Sequence, residues 1–223
     1  MKVVFVGRST HIKSVSVLKD LCEMHFLDAG NTLLITDQTN GDIFEIAEKN
    51  KLQFKIATKS REIAGLLNGF EFDYLVCCGW HLKIPNEVLT LARKRALNCH
   101  SSYLPDYKGL GAYKHAWSNN ESYAGASVHI MEEKFDTGEI MSQSKVKLFL
   151  RDTPKTILTR IAEQTSLLII IAIFKLEKGD VGQPNEGGRY FIKTSNVKHV
   201  LHRFFNLMAG ILGLPRWMTS HKK

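Results

Sequence analysis

Cysteine is scarce and poorly placed for chemistry. The 223-residue chain holds four, Cys22, Cys77, Cys78 and Cys99, and no pair of them forms C-x-x-C. A zinc knuckle or a thioredoxin-like dithiol is therefore excluded, and no metal is expected. Cys77 and Cys78 are adjacent in an apolar run and face opposite sides of any strand, which fits reduced, buried thiols of a cytoplasmic protein. Long apolar runs are missing too. The longest, Leu167 to Phe174, falls short of the about 20 residues that a membrane span needs. The apolar start, Val3 to Val6, is too short for a signal peptide, so the expectation is a cytoplasmic protein without a membrane span. Glycine is missing where a dinucleotide fold needs it. After the first apolar run comes Gly7-Arg8-Ser9-Thr10-His11, which is neither G-x-G-x-x-G nor a Walker loop. No Ser or Cys occupies a nucleophile elbow, so direct group transfer fits better than a covalent intermediate.

What is present reads as one substantial α/β domain with a small appendage. A content of 44% hydrophobic and 23% charged residues is that of a soluble globular chain. The formal net charge of +8 favours anionic partners such as phosphates or nucleotides, or reflects only a basic tail. Lys198, His199, His202, Arg203, Arg216, His221, Lys222 and Lys223 load the C-terminus.

Short apolar runs at Val3–Val6, Thr32–Thr36, Gln53–Ala57 and Tyr74–Cys78 alternate with segments of helical spacing. The first helix, with Ser9 or Thr10 as its cap, turns Val15, Val17, Leu18, Leu21 and Cys22 inward. Others run from Ile43 and from Ser60. This alternation predicts a Rossmann-like, mostly parallel twisted sheet with helices on both faces. A strand at Ala126–Met131, another at Glu139–Lys147 and a long helix opened by Thr153-Pro154 complete a domain over residues 1–182. Residues 183–223 read as a C-terminal extension: a turn-rich hinge, a short strand near Arg189–Ile192, and a basic amphipathic helix over Val197–Leu212. Its apolar side, Val200, Leu201, Phe204, Phe205 and Met208, can meet the core, a second subunit or an anionic membrane, the first two being the commoner fates.

Chemistry concentrates in Asn98-Cys99-His100-Ser101-Ser102-Tyr103-Leu104-Pro105-Asp106-Tyr107-Lys108-Gly109. Asn98 and His100 are two apart in a strand and point to one side, with Cys99 to the other. Pro105 and Gly109 then force an irregular loop. An amide can hold a developing oxyanion, a histidine can move a proton, and a carboxylate such as Asp136 can orient the ring. Taken singly, each is as well explained as a cap or a locally satisfied side chain. The loop Gly79–Pro85 leaves the fourth strand at its carboxyl end, where such sheets bind ligands. Arg8 and Lys13 beside a helix start can hold a phosphate or simply be exposed charges.

Together with Gly125-Ala126-Ser127-Val128-His129-Ile130-Met131 and Asp136-Thr137-Gly138, that stretch resembles the formyltransferase family that uses 10-formyltetrahydrofolate. Order, spacing and residue type agree from Asp73 to about Gln143. The resemblance implies a catalytic set of Asn98, His100 and Asp136. It implies folate binding at Leu82, Lys83 and Ile84, with Asp136 also near the donor. One departure is Ser101, where the family usually has proline after the histidine.

Within the family, the turn after the first strand does not match the glycinamide ribonucleotide branch, and little chain follows Gly182 for the β-barrel of the methionyl-tRNA branch. The chain is most similar to N-formyltransferases that act on dTDP-, UDP- or GDP-linked 4-amino sugars of bacterial surface glycans. That implies a nucleotide-sugar acceptor, with Arg8, Lys13, Tyr103 and Lys108 as candidate contacts. It also implies a homodimer formed by elements after the core, and no nucleic-acid partner. A non-catalytic folate- or nucleotide-binding module is the competing class.

Overall fold

The apolar runs pair into one seven-stranded sheet in the order β3-β2-β1-β4-β5-β7-β8. A computed structural model describes residues 1–214. Arg216, His221, Lys222 and Lys223, part of the basic load read above, lie outside the described residues. The strands are β1 (Val3–Gly7), β2 (Thr32–Thr36), β3 (Gln53–Ile56), β4 (Tyr74–Cys78), β5 (Arg95–His100), β6 (Lys108–Gly109), β7 (Tyr123–Ile130), β8 (Ile140–Lys147) and β9 (Tyr190–Phe191). The helices are α1 (Ile12–Glu23), α2 (Asp42–Lys49), α3 (Ile63–Leu66), α4 (Asn86–Leu89), α5 (Ala112–Ser118), α6 (Pro154–Glu177) and α7 (Asn196–Ile211). Strands β1 to β5 run parallel to one another, and β7 runs antiparallel to both of its neighbours, β5 and β8.

Central strands are apolar on both sides because both sides are covered. Val3 and Phe5 of β1 join the core built with α1 and α6, whereas Val4 and Val6 join the opposite core with Ile63 and Val88. The period of two in a strand makes that division. Helix α6 begins with Thr153 accepting from the Thr156 N–H at 3.2 Å and Pro154 in its first turn. By length and composition α6 is long and apolar enough to cross a membrane, which its eight-residue apolar run did not suggest. Its Ile157, Ile161, Ile169 and Ala172 are nevertheless buried among residues of α1, β7 and β8, as in a core helix.

Some local expectations fail for identifiable reasons. Ser9 and Thr10 do not cap α1; His11 precedes it without a side-chain cap. The Ser9 N–H instead donates to Asp37 Oδ1 at 2.7 Å, so the carboxylate at the end of β2 takes over that turn. The segment from Ser60 is a 3₁₀ turn followed by the four-residue α3. Strand β6 has too few residues for any periodicity, and it pairs in parallel with β9. This pairing draws residues 189–191 onto the loop that follows β5. It requires glycine at 109, where φ is +95° and a Cβ would lie 2.2 Å from the Phe191 carbonyl oxygen. Helix α7 packs on α5 with its polar side, and its apolar side faces outward. The core is thereby excluded as what meets that face.

Candidate active site

Parallel strands β1, β4 and β5 deliver their following loops to one end of the sheet. Strand β1 is flanked by β2 and β4, so the crevice at the reversal of strand order lies between Gly7–His11 and Gly79–Pro85. Beside it, Asn98 and His100 project from the last residues of β5. The antiparallel register sets Asn98 opposite His129 of β7. Cys99 alternates to the other face, where it packs with the α1 and α6 core.

Asp136 completes the cluster from the loop between β7 and β8. Its backbone is left-handed, with φ +53°. Asn185 clamps that loop, its Nδ2 donating to the carbonyls of Asp136 and Gly138 at 3.0 Å each. Tyr190 adds a hydrogen bond to the Phe135 carbonyl at 2.7 Å. One carboxylate oxygen accepts the Gly109 N–H at 2.8 Å. The other, Oδ1, lies 3.3 Å from Asn98 Nδ2, 3.4 Å from His100 Nδ1 and 3.4 Å from His129 Nε2. Burial alone would raise the Asp136 carboxyl, but the two histidines and the Gly109 N–H outweigh it and hold the group well below the usual carboxylate range.

Each of the two histidines has a partner at both ring nitrogens. His129 Nδ1 lies 2.8 Å from the Ile130 carbonyl, and its Nε2 lies 3.1 Å from Asn98 Nδ2 and 3.4 Å from Asp136 Oδ1. His100 Nε2 lies 2.9 Å from the Tyr107 carbonyl and must donate to it. Its Nδ1 lies 3.4 Å from Asp136 Oδ1, which would accept a proton taken up there. Burial pulls His100 below its ordinary value, opposed by Asp136 and the Tyr107 carbonyl. At neutral pH the ring is an unprotonated base whose second proton already has an acceptor waiting.

The remaining candidates separate into near and far. Ile84 is buried in the core that Met131 flanks, Leu82 is half-buried and Lys83 is exposed, all on the loop that leaves β4. Lys13 is buried under the loop after β5, bonded to the Cys99 carbonyl and, at 2.9 Å, to Ser101 Oγ. Lys108 is also buried, donating to the Asn185 carbonyl at 2.9 Å, and burial lowers it from its ordinary value. Both ammonium groups therefore brace the site's loops. Arg8 is half-exposed and 3.3 Å from Asp37. Tyr103 meets Tyr123 edge-on, with Lys145 Nζ over both rings. His11, beside Gly79 in the crevice, is pulled down to about 4 by burial and by Lys13, Arg8 and His81.

Two members of the site went unrecognised in the sequence. His129 stands within the Gly125–Met131 stretch, but only the β5–β7 register shows that it faces Asn98. Asn185 lies in the turn-rich hinge, where nothing distinguishes a clamp from a turn residue. Among the described residues, no group of three or more His, Cys, Asp or Glu side chains is arranged to hold a metal ion.

Residues 30–173 match the family model described as formyl transferase. The chain belongs to that family. It is 31% identical over 147 residues to the GDP-perosamine N-formyltransferase of Brucella melitensis, covering 66% of this chain and 57% of that protein. It is 27% identical over 153 residues to the chloroplastic phosphoribosylglycinamide formyltransferase of Arabidopsis thaliana, covering 62% and 52%. Methionyl-tRNA formyltransferases match as well. The chain thus spans about half the length of the curated relatives it matches. Among solved structures, the phosphoribosylglycinamide formyltransferase of Bacillus halodurans has the same fold, with a TM-score of 0.67 and 24% identity over 78% of this chain and 95% of that one.

Proposed function

We propose that this chain transfers the formyl group of 10-formyltetrahydrofolate to the amine of a nucleotide-linked amino sugar. The observation that carries the reading is the buried Asp136 carboxylate, met at one oxygen by Asn98, His100 and His129 at the carboxyl end of the sheet. Asn98 Nδ2 has two hydrogens. One stays on His129 Nε2, and the other, held only at 3.3 Å by Asp136, turns to the formyl oxygen as the amine attacks. A donor of this kind contributes roughly 3 kcal/mol to stabilising the tetrahedral oxyanion. An oxyanion close to a carboxylate needs a compensating positive charge, which His100 supplies by taking the amine proton on Nδ1. As the bond from the formyl carbon to N10 breaks, that proton passes by way of His100 and Asp136 to N10. The new bond joins the acceptor nitrogen to the formyl carbon, and tetrahydrofolate leaves.

The donor is assigned to the loop Leu82–Ile84, which follows β4 at the carboxyl end of the sheet. The amino-sugar acceptor is supported by the relative named for GDP-perosamine. Phosphoribosylglycinamide is the second reading, supported by the Arabidopsis relative. Incubation with 10-formyltetrahydrofolate and a panel of dTDP-, UDP- and GDP-linked amino sugars, glycinamide ribonucleotide and methionyl-tRNA separates them. Formylation of a nucleotide sugar above the other acceptors is expected. Preference for glycinamide ribonucleotide or for methionyl-tRNA refutes the sugar assignment, and no formylation of any amine refutes the reaction.

A further inference from the structure

Helix α7 is amphipathic the wrong way round for a helix packed on a protein. The residues that face the body are polar. His199 Nδ1 lies 3.2 Å from Ser118 Oγ, His202 Nε2 lies 2.8 Å from Asn119 Oδ1, and Asn206 Nδ2 donates to the Ser118 carbonyl at 3.0 Å. The residues that face outward are apolar: Val200 is 56% exposed, Phe204 57%, Phe205 56% and Ile211 76%, with Val197, Leu201, Met208 and Leu212 beside them. At 3.6 residues per turn these eight make one stripe about 140° wide. Lys198 stands on one flank of the stripe and Arg203 on the other, where the Arg203 guanidinium donates to the Trp117 and Leu150 carbonyls.

Charge decides what covers such a stripe. Residues 187–223 contain seven Lys or Arg and no Asp or Glu, so they carry all but one unit of the net charge of +8. The rest of the chain is close to neutral, with 23 Lys and Arg against 22 Asp and Glu. A second copy would bring two such segments together with no acidic residue in either to pair with the cations. A nucleic acid would match the charge and leave the Phe and Leu side chains in water. An anionic bilayer answers both features, since acyl chains take the stripe and headgroups meet the exposed Lys198 on its flank. We infer that α7 is a lipid-docking helix, which lays its outward apolar face into the surface of an anionic membrane while its polar face holds the catalytic domain. This goes beyond the formyl-transfer reading and does not rest on it.

Cosedimentation of the full chain with phosphatidylcholine vesicles containing about 30 mol % phosphatidylserine, beside vesicles of phosphatidylcholine alone, tests it. Binding about tenfold or more tighter to the anionic vesicles, and weakening with salt, is expected. Replacing both rings, Phe204→Ser with Phe205→Ser, should weaken binding about tenfold or more, and Lys198→Ala about fivefold. These side chains are exposed, so near-ultraviolet circular dichroism should be unchanged; Leu201→Ser with Met208→Ser gives an independent pair on the same stripe. A wild-type chain that ignores anionic vesicles overturns the inference. So does vesicle binding indifferent to both paired variants. A dimer that the Phe variants dissolve, in a chain that ignores vesicles, assigns the face to a second copy instead.

Discussion

Asp136→Asn isolates the charge at the centre of the site while keeping its shape. In the wild type the carboxylate lies 3.4 Å from His100 Nδ1, and both groups are buried. A carboxylate–imidazolium pair at that distance interacts by about 5 kcal/mol at an effective dielectric constant near 20, which bounds the loss from above. The amide retains part of this through its dipole, and its oxygen can still accept the Gly109 N–H. A loss of roughly 3–4 kcal/mol of transition-state stabilisation therefore remains, or about 10²–10³ in rate. Because the charge acts only once the proton has moved, kcat should carry the loss and KM should change little. The pH profile gives a second readout. The wild-type rate should rise with pH through the titration of His100, which burial sets below its ordinary value, and be level by neutral pH. Without the carboxylate that limb should move lower still, since a negative neighbour is what raises His100. Steady-state formyl transfer across pH measures both effects. A variant within about threefold of wild type in kcat would refute the proton-handling role given to the pair.

Three further outcomes follow from the packing around the site. Asn185→Ala removes both hydrogen bonds that clamp the Asp136–Gly138 loop, so activity should fall about tenfold or more, with a stability loss of roughly 1–3 kcal/mol in urea unfolding. Gly109→Ala puts a Cβ 2.2 Å from the Phe191 carbonyl in left-handed backbone, and should part β6 from β9 and lower both the melting temperature and activity. His199 is pulled down to about 4 by burial and by His115, Lys114 and His202, against about 6.5 when unfolded. Its native state binds fewer protons, so the stability held above about pH 6.5 should be lost as pH falls toward 4, by up to roughly 3 kcal/mol. Unfolding measured at a series of pH values should show that slope, and His199→Gln should flatten it.

The central sheet was legible because its strands are buried on both faces: Val3–Val6 and Tyr74–Cys78 read as apolar runs, and period two alone divides their side chains between the cores. Asn98 and His100 were legible for the same reason, as alternate residues of one strand. What escaped depends on pairing. His129 joins the site only through the antiparallel register of β5 with β7, and β6 exists only because β9 returns to meet it. Lys13 and Lys108 stood in the sequence as candidate contacts for a nucleotide sugar, and that both are buried, each on a backbone carbonyl that its own segment does not supply, follows only from the packing. The apolar side of α7 was readable from spacing. Its outward direction was not, because that follows from the polar contacts of His199, His202 and Asn206 with α5 and the turn after it.

The most direct test of the central claim is single-turnover transfer from 10-formyltetrahydrofolate labelled in the formyl carbon, comparing wild type with Asn98→Ala and His100→Ala. The account predicts label on the acceptor amine in step with release of tetrahydrofolate, and about a hundredfold slower transfer or worse in each folded variant. Transfer at the wild-type rate in both variants, or no labelled amine from the wild type with any acceptor, would contradict it.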